Sequence, residues 1–266
     1  MTKTLSRLYV GLVYVFLYAP IAVLIIFSFN SSKSRNVWTG FTLDWYYRLL
    51  HNETIISSLL NTLLVATISS VIATILGTLA AVGIHSMKKN VRAAVINVTY
   101  LPVINPEIVT GVSLMLLFVF AGVSLGYATL IVAHITFNVP YVILNVMPKI
   151  RQMDSHLYEA AQDLGCGPFQ AFYKVVIPQI MPGIITGFLM AFTYSIDDFV
   201  ISYFTSGPAS QTLPITIFSM TRKKVSPEIN ALSAIIFLIV LTILVIMNLK
   251  DANIYRKRMK KETERL

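Results

Sequence analysis

Of the chain's 266 residues only one is cysteine, so Cys166 cannot close an internal disulfide. The four histidines, His51, His85, His134 and His156, show no ligand spacing with one another, and no metal site is expected. No G-x-x-x-x-G-K-[ST] stretch occurs, so the chain has no loop with which to cradle nucleotide phosphates. The short alternating segments of an outer-membrane barrel are missing, as is a folded basic module of the kind that binds nucleic acid. Charge is scarce: Asp, Glu, Lys and Arg make up 12% of the chain, and the 12 acids are outnumbered by 21 bases. These absences exclude a disulfide-stapled or nucleotide-hydrolysing protein, and they leave no expected catalytic residue or cofactor.

What the chain has in quantity is apolar surface. Hydrophobic residues make up 56% of it and its mean hydropathy is +0.72, which predicts an all-α, polytopic membrane protein. A bilayer core needs about 20 apolar residues per helix. Six stretches qualify, near residues 8–29, 56–85, 94–122, 127–147, 183–205 and 230–249, within one transmembrane domain covering 1–266. The first follows Lys3 and Arg7 as a signal peptide would, but it is too long and no small-x-small site follows, so it reads as a retained span.

Basic residues orient the bundle. A cytoplasmic N-terminus places inside Lys3, Arg7, Lys88, Lys89, Arg92, Lys149, Arg151, Lys174 and the tail "KDANIYRKRMKKETERL" at 250–266. Fewer fall outside: Lys33, Arg35, Arg48, Arg222, Lys223 and Lys224. This bias predicts both termini in the cytoplasm, with the tail held at an anionic leaflet of membrane lipid. "GFTLDWYYRLL" at 40–50 reads as an interfacial helix with Trp45, Tyr46 and Tyr47 at headgroup depth.

Between the fourth and fifth apolar runs stands "LYEAAQDLGCGPFQAFYKVVIPQIMP" at 157–182, too long for a tight turn and too polar to span. Ser155 can cap a first short helix, and Gly165 suits the left-handed residue that ends it. Pro168 can open a second helix, and Pro178 is expected to stop it. The pair, over 155–178, carries an apolar stripe of Leu157, Leu164, Phe169, Phe172 and Val176. On pattern alone, an amphipathic linker lying in the membrane interface would look the same.

"EAAQDLGCGPFQAFYKVVIP" resembles the EAA signature of ABC-importer permeases: Glu159, Ala160, Ala161, Gly165 and Pro178 match, and Val175 and Ile177 stand at its aliphatic positions. "SLLNTLLVATISSVIATILGTLAA" at 58–81 is similar to the second span of type I importer permeases, with Asn61, Thr62 and Gly77 in place. "AHITFNVPYV", "SIDDFVISYFTSGP" and "LPITIFSMTRKKVSPEINALS" look like the second permease of spermidine/putrescine importers. The resemblance implies a coupling-helix pair at 155–178 that docks into a cytoplasmic ATPase. It also implies a complex with a second, homologous permease, two ATPase subunits and an extracytoplasmic binding protein, in the bacterial inner membrane.

Polar groups at membrane depth bear on the cargo. An ionised Asp at a helix centre costs about 2.5–3.5 kcal/mol on insertion scales, so such residues face a cavity or a partner. Glu107, Asp197 and Asp198 qualify, with no embedded Lys or Arg to neutralise them. Glu107 lies in "YLPVINPEIVTGV", where Pro102 and Pro106 each remove a donor and Gly111 is expected to loosen the helix. A broken helix is tolerated where it lines a cavity or is buried in protein; a locally satisfied kink is the alternative.

Asp197 and Asp198, being adjacent, diverge by about 100° on a continuous helix, so one should line the path while the other bonds a neighbour. His134 and Asn138, four apart, are the expected neighbours, with His134 read chiefly as a packing residue. Carboxylates interleaved with rings such as Tyr194 and Tyr203 suit an organic polycation. The sequence therefore predicts the permease subunit of a polyamine importer. Another organic cation or amino-acid derivative as cargo, an ion-coupled transporter, and an intramembrane enzyme pairing His134 with a serine are the alternatives.

Overall fold

The computed structural model describes residues 3–32, 37–154, 156–223, 227–239, 241–242 and 245. Ser155, Lys33, Arg35, Lys224 and the tail at 250–266 lie outside the described residues. In chain order the helices are α1 (Lys3–Phe27), α2 (Asp44–Leu50), α3 (Glu53–Ser86), α4 (Lys89–Ile104), α5 (Glu107–Phe120), α6 (Tyr127–Gln152), α7 (His156–Asp163), α8 (Pro168–Ala171), α9 (Ile177–Asp197), α10 (Val200–Thr205) and α11 (Leu213–Lys223), with α12 (Pro227–Ile239) after them. Among the described residues the one extended pairing is an isolated bridge between Asn30 and Phe41.

Four helical stretches are long and apolar enough to cross a membrane: α1, α3, α6 and the run Pro168–Asp197. The expected third span is not one straight helix, because α4 and α5 meet at a bend of 99°. The break falls at Asn105 and Pro106, both extended in ψ, while Pro102 stays inside α4. The expected sixth span is described only in part, as the shorter apolar helix α12.

The chain divides into two compact units, Met1–Glu53 with Ser219–Leu266, and Thr54–Phe218. In the first, the segment after α1 folds around Asn30. Its side-chain amide donates to the Val37 carbonyl at 2.8 Å and its Oδ1 accepts from the Thr39 backbone at 3.0 Å. The Trp45 indole donates to the Asn30 carbonyl at 2.7 Å. Trp45 is therefore buried under this segment, and of the three expected interfacial rings Tyr47 is the exposed one.

In the second unit α6 is the central post. Val142, fully buried, sits between Gly77 of α3 and Gly187 of α9, where a Cβ on either glycine would press on it. Contacts to α6 follow one antiparallel register: Gly183 faces Asn145 and Lys149, Gly187 faces Val142, Ser195 meets Asn138, Ser202 meets His134 and the Thr205 carbonyl meets Thr129. That register continues past the end of α9 into α10, so the two helices form one broken traverse along α6. The expected continuous span at 183–205 is corrected accordingly: it starts further back and breaks after Asp197.

The same unit fixes the sense of the bent pair. Asn61 near the start of α3 and Tyr127 at the start of α6 are joined, Tyr127 Oη donating to Asn61 Oδ1 at 2.7 Å. His85 at the far end of α3 interacts electrostatically with Arg92 and with Arg151 at the far end of α6. Helices α3 and α6 therefore run parallel, and the α4–α5 pair between them returns the chain from one end of the bundle to the other.

Candidate functional site

Two groups of residues are brought together within the second unit. The first surrounds the break at the end of α9. Asp198 leaves the helix with ψ 121°, and its carboxylate turns back on α10, accepting the backbone N–H of Ile201 at 3.2 Å and of Ser202 at 2.7 Å. These N–H groups would otherwise lack intrahelical partners. His134 Nε2 lies 3.0 Å from Ser202 Oγ and 3.5 Å from Asp198 Oδ2, with both side chains almost wholly buried. A carboxylate is acceptor-only, so a proton at Nε2 is the tautomer that suits Asp198, and the Ser202 hydroxyl can take either role.

Asp197, the last residue of α9, is exposed. The two neighbours do differ in environment, through a helix break rather than through divergence around a continuous helix. Of the two expected partners, His134 meets Asp198, whereas Asn138 donates to Ser195 Oγ at 2.7 Å, and Ser195 shares a 3.2 Å hydrogen bond with Ser69 of α3.

Glu107, the first residue of α5, is exposed and interacts electrostatically with both Asp198 and Asp197. This proximity depends on Gly111. A Cβ there would meet Phe204 at 3.2 Å and the Ile201 Cα at 3.4 Å, so Gly111 admits α10 against α5 rather than loosening a helix. Tyr194 joins the group, 4.6 Å from Tyr141 and 6.1 Å from Phe137 between ring centroids. Tyr141 also interacts electrostatically with Glu107. Tyr203 belongs elsewhere, in a second aromatic set with Phe199 and Phe204 at 5.4 and 5.5 Å.

Sequence reasoning missed Tyr141 and Phe137. A signal was present: His134, Phe137, Asn138 and Tyr141 repeat at three, four and seven residues, one face of α6. The result is three carboxylates beside a pair of tyrosines, with Asp198 already engaged and Glu107 and Asp197 exposed. Such a face can hold ammonium groups by charge and by ring contact.

The second group is the polar connection after α6. Helix α7 ends where Gly165 takes φ +87°, the left-handed region that favours glycine. Cys166 N donates to the Ala161 carbonyl at 3.0 Å and Gly165 N to that of Gln162 at 2.8 Å, the double closure of a helix C-terminus. Ala161 is buried, while Glu159 and Ala160 are exposed. The expected stripe divides: Phe172 and Val176 pack into the core with Tyr158, and Leu164 and Phe169 stand out at 87% and 80% exposure.

Pro178 does not end a helix as expected. The turn Phe172–Val176 is widened to a π-helix, with Ile177 N bonding back to the Phe172 carbonyl, so the proline sits in the first turn of α9 where no donor is required. The protrusion is thus continuous with the fifth traverse.

Residues 44–260 match the family described as "Binding-protein-dependent transport system inner membrane component". The chain is 36% identical over 245 residues to the spermidine/putrescine transport system permease protein PotC of Haemophilus influenzae, covering 92% of this chain and 95% of that one. It is 41% identical over 233 residues to the putrescine transport system permease protein PotI of Escherichia coli, covering 84% and 82%. Among solved structures it is similar to a chain of a bacterial ABC transporter that imports alginate, with TM-score 0.68 and 14% identity over 92% and 94% of the two chains. A chain of an amino acid ABC transporter gives TM-score 0.56 at 22% identity, over 79% and 98%.

Proposed function

The chain belongs to the binding-protein-dependent transport system inner membrane component family, and we propose that it carries polyamines, spermidine or putrescine, as one of two permease subunits of an ATP-driven importer. The observation that carries the cargo is the group of Glu107, Asp197, Tyr194 and Tyr141. It offers two exposed carboxylates and two tyrosine rings to a flexible polycation, with no embedded Lys or Arg expected to repel it. The names of the two Pot relatives support the same cargo. An anion importer would call for the opposite sign along this face.

The proposed partners are a second, homologous permease, two cytoplasmic ATPases and an extracytoplasmic binding protein. The exposed Leu164 and Phe169, beside Glu159 and Ala160, form the surface proposed to dock into the ATPase. Its apolar centre and polar edge suit a protein interface. Because π-turn and α9 continue directly from it, movement of the docked ATPase would be passed along the fifth traverse to Asp197.

The test is uptake of labelled putrescine and spermidine in cells deleted for their own polyamine importers, expressing this chain with its co-encoded partners. Saturable uptake that stops when Glu107→Gln and Asp197→Asn are combined is expected. Uptake no greater than with empty vector, by a complex that assembles, would overturn the polyamine assignment.

A further inference from the structure

We propose that His134 is a positioning residue for cargo transfer: by holding Ser202 and Asp198 from α6, it fixes the break in the α9–α10 traverse that presents Asp197 toward Glu107. The inference rests on the polyamine reading for its cargo and on geometry for everything else.

The break is held at three levels, each by a side chain of α6. Above it, toward the end of α10, Thr129 Oγ1 donates to the Thr205 carbonyl at 2.8 Å. At the break, His134 Nε2 reaches Ser202 Oγ at 3.0 Å and Asp198 Oδ2 at 3.5 Å. Below it, Asn138 donates to Ser195 Oγ at 2.7 Å, and Ser195 is joined to Ser69 of α3. The outer two bonds would be available to an unbroken helix as well. The central one is different, because Asp198 can meet both the imidazole and the two N–H groups of α10 only with its backbone extended.

Two further features single out His134. Its Nδ1 is buried with no hydrogen-bond partner, so the ring's orientation is set by Nε2 alone. An apolar residue of similar volume would fill the site at less desolvation cost, which makes the imidazole a poor choice for packing alone. Asp198, for its part, would keep its two backbone donors if the ring were removed but would lose the imidazole 3.5 Å from its carboxylate. The Asp197 backbone adjoins this residue directly, and its side chain is the exposed one of the pair. Small shifts in such a group are felt steeply in transfer between sites.

The test uses the full importer complex in proteoliposomes, in a Cys166→Ser background with cysteine introduced at position 197. Reaction of that cysteine with a cationic thiol reagent reports its placement without reference to any cargo. His134→Leu is expected to change the reaction rate by about tenfold and, in chains keeping Asp197, to lower the maximal uptake rate by a similar factor. His134→Gln, which keeps a donor near Nε2, is expected to restore most of both. Ser202→Ala removes the second partner with little change in volume and is read in place of His134→Leu if the latter fails to assemble.

An unchanged reaction rate at position 197 in the assembled His134→Leu or Ser202→Ala complex would overturn the proposal, whatever the cargo. So would equal effects of His134→Leu and His134→Gln. A changed reaction rate in a complex that never transports polyamine would instead uphold the positioning role and count against the cargo assignment.

Discussion

Adjacent acids with opposite surroundings mark the centre of this protein at the scale of single residues. Asp198 is buried and accepts two backbone N–H groups beside His134, while Asp197 is exposed and interacts electrostatically with Glu107. Asp198→Asn replaces one acceptor oxygen by a donor facing donors, a mismatch worth about 1–3 kcal/mol for a buried group. It is expected to lower the thermal midpoint of the purified complex and its yield. Asp197→Asn should leave both unchanged while reducing uptake at least about tenfold, as loss of a charge that acts on a moving cation. Measuring thermal stability and uptake on the same preparations separates the two, and equal effects on stability would contradict the assignment. Sequence could name both aspartates and the need for unequal roles. It does not say which is which, because their roles are set by the helix break and nothing local in "SIDDFV" announces it. Gly111 is a similar case: its sequence context reads as a loosened helix, and its use as a contact for α10 comes from a partner about ninety residues away.

Among the elements, two prolines meet their missing donor in different ways. Pro106 has a break before it and lies at the start of α5, whereas Pro178 follows a π-turn that absorbs its missing donor. Helix breaking at proline is legible from sequence, but an inserted π-turn depends on how the protrusion packs through Phe172 and Val176 into the core. Gly165 was legible throughout, since the left-handed end of a short helix is a local requirement.

The protrusion carries its own prediction. Ala160 is exposed, four residues before the exposed Leu164. Ala160→Asp should therefore fold and insert normally, while placing an unpaired charge in the proposed ATPase interface. Co-purification of the ATPase is expected to fall together with uptake. Normal recovery of the ATPase with normal uptake would remove Ala160 from that interface. Gly165→Asp would be a poorer probe, because any loss could arise from a strained φ of +87° instead.

For the whole molecule, the directions of the helices lead to a membrane topology that can be checked. The bundle places Asn61, Tyr127 and the Ala209 carbonyl at one end. His85, Arg92 and Arg151 lie at the other. The protrusion follows α6, and so emerges at the arginine end, while the segment after α10 emerges at the opposite one. Basic residues favour the cytoplasmic side, so we propose that the arginine end and the protrusion face the cytoplasm, and the count of six spans in the sequence then predicts Arg222 and Lys223 outside. Charge alone argued weakly here, because "TRKK" is itself basic; the parallel run of α3 and α6 is what makes the bent α4–α5 pair count as one crossing. In a Cys166→Ser background, cysteine at position 223 should react with a membrane-impermeant reagent in intact cells, whereas cysteine at position 164 should react only after lysis. The reverse pattern would invert the bundle and place the proposed coupling surface where no cytoplasmic ATPase can reach it. Labelling of both positions from outside would mean that the α9–α10 traverse between them does not cross the membrane, in conflict with its antiparallel course along α6.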